Sequence, residues 1–288
     1  MKLSMNNIEF NLLRDFIEEE FGLSLKNQER EVLSKRLEPN LIKLKLKSYR
    51  EYYNYLLSHP SSKTELNSLP SIIMNMESYF LREKAQFNVF IDLFNKIRKE
   101  RAGKSNRTIR ILSAGCSEGQ EPYSISISIR NSGISIGGWD IRISGLDIDP
   151  VSIGKAREGI YNSYSLRGVE KNISGKFFSK TGSDHYRLNT DIIKTVDLLQ
   201  GNILNPTVFK GLQNLDFIFC RNVLIYMGIK AKNRIALNLW EALSYNGYLF
   251  LGQSESFIKQ DVLFRPAHFP DVIVYQKKIP HAEQAIAY

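Results

Sequence analysis

One stretch does most to limit what this chain can fold into: residues 110–123, RILSAGCSEGQEPY. The β-branched and aliphatic run over 108–112 reads as a buried strand. A turn of small residues follows, 113–119. Pro122 then suits a first helical turn, because proline lacks the N–H that would be orphaned there. Strand, glycine turn and helix is how a parallel sheet lets its backbone approach a nucleotide-like ligand. The glycines permit close contact, and the helix start offers free N–H donors. Gly115 and Gly119 make neither the G-x-G-x-x-G spacing nor a phosphate loop, so a tight turn without a ligand stays open on this stretch alone.

Downstream the pattern alternates strand and helix, which predicts an α/β fold. Residues 141–146 form the second strand, with Asp147 at its carboxyl end. Pro150 opens a helix that Gly159 stops. Residues 123–130, YSISISIR, alternate with period two, yet they are assigned to helix because Pro122 precedes them and a parallel sheet needs a crossover. Residues 196–199, 217–220, 248–251 and 272–275 read as further strands, and 230–243 as a helix. Residues 162–195 are polar, are broken by Gly168, Gly175 and Gly182, and read as a small irregular or β insert.

Upstream, residues 1 to about 70 carry helical spacing. Asn6 and Glu9 form a capping box ahead of Phe10, Leu13, Phe16, Ile17 and Phe21, and Gly22 ends that run. A second helix starts near Asn27, and Pro39 should end or kink it. Ser48 and Glu51 make another capping box. A second apolar helix over 87–97 leads to a basic, glycine-containing link at 99–107, which is where the domain boundary is placed. The division is then a helical domain over 1–100 and an α/β domain over 101–288.

A chain of 288 residues suits one or two domains. Cys116 and Cys220 are too few for a disulfide scaffold and form no metal-spacing cluster, which points to a reducing compartment and no metal. No stretch approaches the roughly 18 apolar residues of a membrane span, and the N-terminus lacks the apolar core of a signal peptide. A cytoplasmic protein without membrane insertion is expected. The net charge is +9, and residues 26–50 hold eight basic residues against three acidic ones. Such a patch suits nucleic acid, an anionic membrane or an acidic protein, or is simply a solvated helix face. No interleaved aromatics accompany it, so nucleic acid is disfavoured.

Asp147, Asn202 and the Cys220-Arg221-Asn222 group all fall at strand ends. With Ala114, Gly115 and Glu121 they would line the crevice where such sheets bind ligands. The acidic residue at the end of the second strand is the one that accepts ribose hydroxyls in this architecture.

The strings SAGCSEGQEPYS, GLDIDPVSIGKAREGIY, LDFIFCRNVLIYM and LGQSES closely resemble motifs of the chemotaxis receptor methyltransferases. MESYFLRE and the basic N-terminal helices resemble theirs too, in the same order, so the likeness covers about residues 6–277. The resemblance implies a class I methyltransferase fold, Rossmann-like, using S-adenosyl-L-methionine and releasing S-adenosyl-L-homocysteine. It implies an all-helical N-terminal domain and a β subdomain inserted in the catalytic domain. It implies methyl esterification of glutamates on the cytoplasmic helices of chemoreceptors. By position, Ser78 and Arg82 fall on a cofactor-contacting threonine and a functional arginine. Glu121 and Asp147 match acidic residues that hold the cofactor. Asn202 with Ile203, and Cys220 with Arg221, match segments around the adenosine, and Tyr226 matches the tyrosine near the transferring methyl. The basic helices, through Arg30, Lys35, Arg36 and Lys43, are the expected receptor dock.

Three departures stand out. Met76 replaces an asparagine usual two residues before the Ser78 position, which implies weaker cofactor binding or a regulatory module without transfer. Gln120 stands in the first of two positions usually acidic. The insert is short near 180–184, KTGSD, so no tether to a receptor C-terminal peptide is expected. A methyltransferase for a non-receptor protein is the remaining alternative.

Overall fold

The computed structural model describes residues 3–74, 77–257 and 262–278. Helices α1 (Asn7–Phe21), α2 (Arg30–Lys43), α3 (Tyr49–Ser58) and α4 (Ser62–Ile73) come first. Helix α5 (Lys84–Glu100) leads into β1 (Thr108–Ala114), α6 (Gln120–Asn131), β2 (Asp140–Asp147) and α7 (Pro150–Glu158). The insert follows: β3 (Ile160–Asn162), α8 (Lys171–Phe177), β4 (Phe178–Lys180), β5 (His185–Leu188) and α9 (Thr190–Ile193). The chain closes with β6 (Val196–Gln200), β7 (Leu215–Cys220), α10 (Ile229–Ala242), β8 (Leu243–Leu251), β9 (Phe264–Phe269) and β10 (Val272–Lys277).

The main sheet has the order β6-β2-β1-β7-β8-β10-β9. Its first five strands run parallel, and β10 is antiparallel to both its neighbours. From β1 the chain builds outward through β2 to β6, then returns to place β7 on the other side of β1. The order therefore reverses between β1 and β7, and a crevice opens there at the carboxyl ends. A separate antiparallel sheet, β3-β5-β4, forms the insert, with α8 and α9 making it mixed rather than purely β.

The first helix forms as its sequence dictates. Asn6 Oδ1 accepts the Glu9 N–H at 2.9 Å, and the Glu9 carboxylate accepts the Asn6 N–H at 3.0 Å. Gly22 ends it at φ +74°, and a Cβ there would lie 2.8 Å from that of Ala231, so the stop is also a point of close approach to α10. The box at Ser48 is half formed: Ser48 Oγ accepts the Glu51 N–H, but the Glu51 carboxylate takes the Lys47 N–H instead. Helix α2 does not end at Pro39 but runs on through it. Leu33, Leu37 and Leu41 bury one continuous face across the proline, which offsets the roughly 3 kcal/mol that an interior proline costs.

Helix α6 carries the YSISISIR stretch. Ser124 and Ser126 are buried but satisfied. Ser124 Oγ donates to the Gln120 carbonyl at 2.6 Å and accepts the Leu81 N–H at 2.9 Å, and Ser126 pairs with Thr195 at 2.7 Å. The alternation there separates two kinds of buried contact, not core from solvent.

Helix α5 lies upstream of the link at 99–107. Helix α5 is a layer of the α/β unit: Phe90 meets Phe217 and Phe219 edge-on at 5.0 and 5.4 Å, and Phe219 stacks on Phe250 at 4.5 Å. The four N-terminal helices join α10 in a second core on the opposite face of the sheet. Strand β9 has no counterpart in the sequence pattern. It is an edge strand, where Pro266 costs no ladder bond, and with Phe264 its one buried residue it gives little alternation to read.

Candidate functional site

A cleft of about 1030 Å³ opens at the switch point. Ser78, Arg82, Gly115, Glu121, Asp147, Asn202, Ile203, Arg221 and Tyr226 all line it. Two expected residues do not. Ala114 and Cys220 are fully buried within the sheet, because alternate side chains of a strand point to opposite faces and theirs face the N-terminal helices. Burial pushes the Cys220 thiol well up, with the nearby carboxylates of Glu255 and Glu121 adding to it.

The glycine loop is built on Asp147. Gly115 sits at φ +80°, and its N–H and that of Cys116 both donate to the Leu146 carbonyl. A Cβ on Gly115 would come within 2.4 Å of Val223, so the position takes no side chain without displacing the opposite wall. Asp147 Oδ2 accepts the Ser117 N–H at 2.7 Å, and Oδ1 accepts the Asp149 N–H at 2.9 Å. Burial pushes the Asp147 carboxyl up, and these two N–H groups hold it down only in part. Each oxygen keeps acceptor capacity for a further partner.

Arg221 ties three segments together. Its Nη1 donates to Glu121 at 3.0 Å, and its Nη2 lies 3.1 Å from the Glu83 carboxylate and donates to the Arg82 carbonyl. Glu121 also accepts the Ser113 hydroxyl at 2.7 Å. Burial still outweighs Arg221 and Ser113, so the Glu121 carboxyl stands above its ordinary value. Arg82 donates to the Glu77 carbonyl at 3.2 Å, with its guanidinium 5.6 Å from the Tyr79 ring. Tyr226 is 43% exposed at the mouth.

Asn202 is spent on backbone. Its amide donates to the Glu20 carbonyl at 3.0 Å, and its oxygen accepts the Leu204 N–H at 2.9 Å. On the basic helix, Lys35 and Lys43 are exposed. Arg30 donates to the side chain of the exposed Asn7, and Arg36 donates to the Ile73 carbonyl. Met76 lies outside the described residues.

Sequence reasoning missed Phe21 and Leu23, which bring the helical domain into the cleft wall, and Phe87 from α5. Gly22 was the available signal, since a glycine stop between two apolar residues marks a close approach. It missed Glu83 as well, a carboxylate that matters only once the fold brings Arg221 to it.

Residues 76–273 match the family described as CheR methyltransferase, SAM binding domain, and residues 8–69 match its all-alpha domain. A chemotaxis protein methyltransferase 2 of Vibrio cholerae is 31% identical over 97% of this chain and 96% of its own. The chain belongs to the CheR methyltransferase family. Another CheR relative, the chemotaxis protein methyltransferase of Borreliella burgdorferi, is 28% identical over 89% of this chain and 90% of its own. A probable biofilm formation methyltransferase WspC of Pseudomonas putida is 28% identical over 90% of this chain, which spans 59% of that relative.

As a CheR methyltransferase the protein is an S-adenosylmethionine-dependent enzyme. The cleft's chemistry fits that cofactor. Two buried polar atoms on its lining, Ser117 Oγ and Arg221 Nε, have no protein partner. Buried polar groups of that kind are normally satisfied by something. An amino-acid end, a ribose and a base need the mixture of acidic, basic and apolar lining found here.

Proposed function

We propose that this enzyme transfers a methyl group from S-adenosylmethionine to glutamate carboxylates on the cytoplasmic helices of chemoreceptors. The observation that carries the reading is the convergence of Glu121, Asp147, Arg82 and Tyr226 on one cleft at the switch point. In this reading Asp147 takes the ribose hydroxyls. Glu121, with Ser78, Gly115, Ile203 and Arg221, completes the cofactor's cradle.

When bound, S-adenosylmethionine supplies an electrophilic methyl on a cationic sulfur. The acceptor carboxylate has an ordinary pKa near 4.3, so it is ionised at neutral pH and no side chain need take a proton. The chain's task is alignment, which can supply on the order of 7 to 11 kcal/mol. Arg82 grips the cofactor's carboxylate through its planar fork, since a clamp on the acceptor would blunt its nucleophilicity. Tyr226 positions the reacting groups through its hydroxyl. Phe21, Phe87 and Val223 keep the walls dry, which favours a step that merges opposite charges.

Lys35 and Lys43 offer the outward basic face for acidic receptor helices. The short turn at 181–184 between β4 and β5 supports docking without a receptor C-terminal peptide. The test is calorimetry with S-adenosylmethionine, followed by labelled methyl transfer to receptor-rich membranes. Binding together with base-labile label on the receptor is expected. Binding without transfer would make the protein a cofactor-sensing module, and label on another protein would overturn the choice of acceptor.

A further inference from the structure

The residues given a part in the reaction above all touch the cleft. Glu255 does not, yet it governs a loop that does. We propose that Glu255 is a positioning residue, whose carboxylate fixes the loop after β7 that presents Tyr226 at the mouth of the cleft. The inference rests on the placement of Tyr226 at the reacting end proposed above.

Glu255 is 8% exposed. Its Oε2 accepts two backbone N–H groups, those of Asn222 at 2.7 Å and Gly252 at 2.8 Å. Its Oε1 accepts a third, from Ile225 at 3.1 Å. A carboxylate spanning three backbone donors is a stiff local clamp, because charge-assisted bonds are about twice as strong as neutral ones. The clamp holds Asn222 at φ +59°, a conformation unfavourable for a side-chain-bearing residue. Gly252 makes the approach feasible: a Cβ there would lie 2.8 Å from Glu255 Oε2 and 3.0 Å from the Asn222 nitrogen.

The two clamped N–H groups of the loop bracket Val223, which closes over Gly115, and Ile225 is the residue before Tyr226. From the other side the helical domain holds the same loop. The Ser24 N–H donates to the Tyr226 carbonyl at 2.9 Å, and the Gly228 N–H donates to the Gly22 carbonyl at 3.0 Å. The Tyr226 ring is too exposed for packing alone to aim it. Its direction depends on the backbone that carries it, and Glu255 holds that backbone from the side opposite the helical domain.

Chemistry distinguishes this role from plain packing. Glutamine offers one acceptor oxygen and turns an N–H₂ toward the remaining N–H group, so Glu255→Gln keeps part of the clamp and Glu255→Ala keeps none. Two readouts decide. Amide exchange reads the clamp itself: Asn222, Ile225 and Gly252 should exchange at least about tenfold faster in Glu255→Ala, less so in Glu255→Gln, with Phe219 in β7 unchanged. Methyl transfer per active site, with sites counted by S-adenosylhomocysteine calorimetry, reads the consequence. The kcat of Glu255→Ala should fall at least about tenfold, while product affinity shifts by less than about threefold, because Asp147 and Glu121 stand on other elements.

Coupling completes the test. In a Tyr226→Phe background, adding Glu255→Ala should cost less than about threefold more, because the loop then has no hydroxyl left to aim. Unchanged exchange at the three amides, a kcat within about twofold of wild type, or full multiplication of the two single effects would each overturn the inference. A wild-type enzyme that labels no receptor overturns the proposed acceptor instead, and the exchange data still judge the clamp.

Discussion

Arg221→Met removes the one cation between two carboxylates and keeps most of the side chain's volume. The Arg221 side chain is 2% exposed, and those of Glu83 and Glu121 are 12% and 13% exposed. Breaking a buried pair by removing one partner costs about 3–5 kcal/mol. Because the carboxylates keep some access to water, about 3 kcal/mol is expected at pH 8. The pH dependence carries the sharper test. Burial pushes the Glu121 carboxyl up and Arg221 pulls it back. Without the arginine its folded-state value rises further, while the unfolded value stays ordinary. Between those two values the folded variant binds a proton that the unfolded chain does not, so its stability falls as pH rises through that window and is recovered below it. Urea unfolding should therefore show a loss of about 3 kcal/mol at pH 8 that is smaller at pH 5. In thermal melts the pH 8 loss corresponds to roughly 6–12 °C. An equal loss at both pH values, or one below about 1 kcal/mol at pH 8, would refute the view of Arg221 as the compensating charge of the site.

Two further outcomes follow from the same geometry. Gly115→Ala forces a Cβ at φ +80° into Val223, so product affinity by calorimetry should fall at least about tenfold, with a stability loss of about 1–3 kcal/mol. Lys35→Glu with Lys43→Glu should weaken receptor binding and flatten its salt dependence between low and physiological ionic strength, with catalysis on a saturating acceptor unaffected.

The sheet and its switch point are legible in the sequence because they depend on local signals. A β-branched run, a glycine turn and a proline are each read within ten residues, and Asp147 and Arg221 inherit their place from strand ends. What escapes depends on pairing across the chain. Helix α5 looks like any amphipathic helix until Phe90 meets Phe217 and Phe219. Pro39 reads locally as a break, and only the burial of Leu33, Leu37 and Leu41 on one face shows why α2 continues. Cys220 and Ala114 belong to the cleft by their neighbours in sequence, but strand alternation turns their side chains away. Arg36 reads as surface charge, and the fold gives it the Ile73 carbonyl as an acceptor. Glu255 stands in the LGQSES string, but the string does not reveal its role, since its three partners are backbone groups 3 to 33 residues away.

The most direct measurement is mass spectrometry of receptor peptides after incubation with the enzyme and S-adenosylmethionine. The account expects a gain of one methylene on particular glutamates, reversed by mild base with release of methanol. Receptor peptides of unchanged mass from an enzyme that binds the cofactor, or a base-stable gain on another side chain, would contradict it.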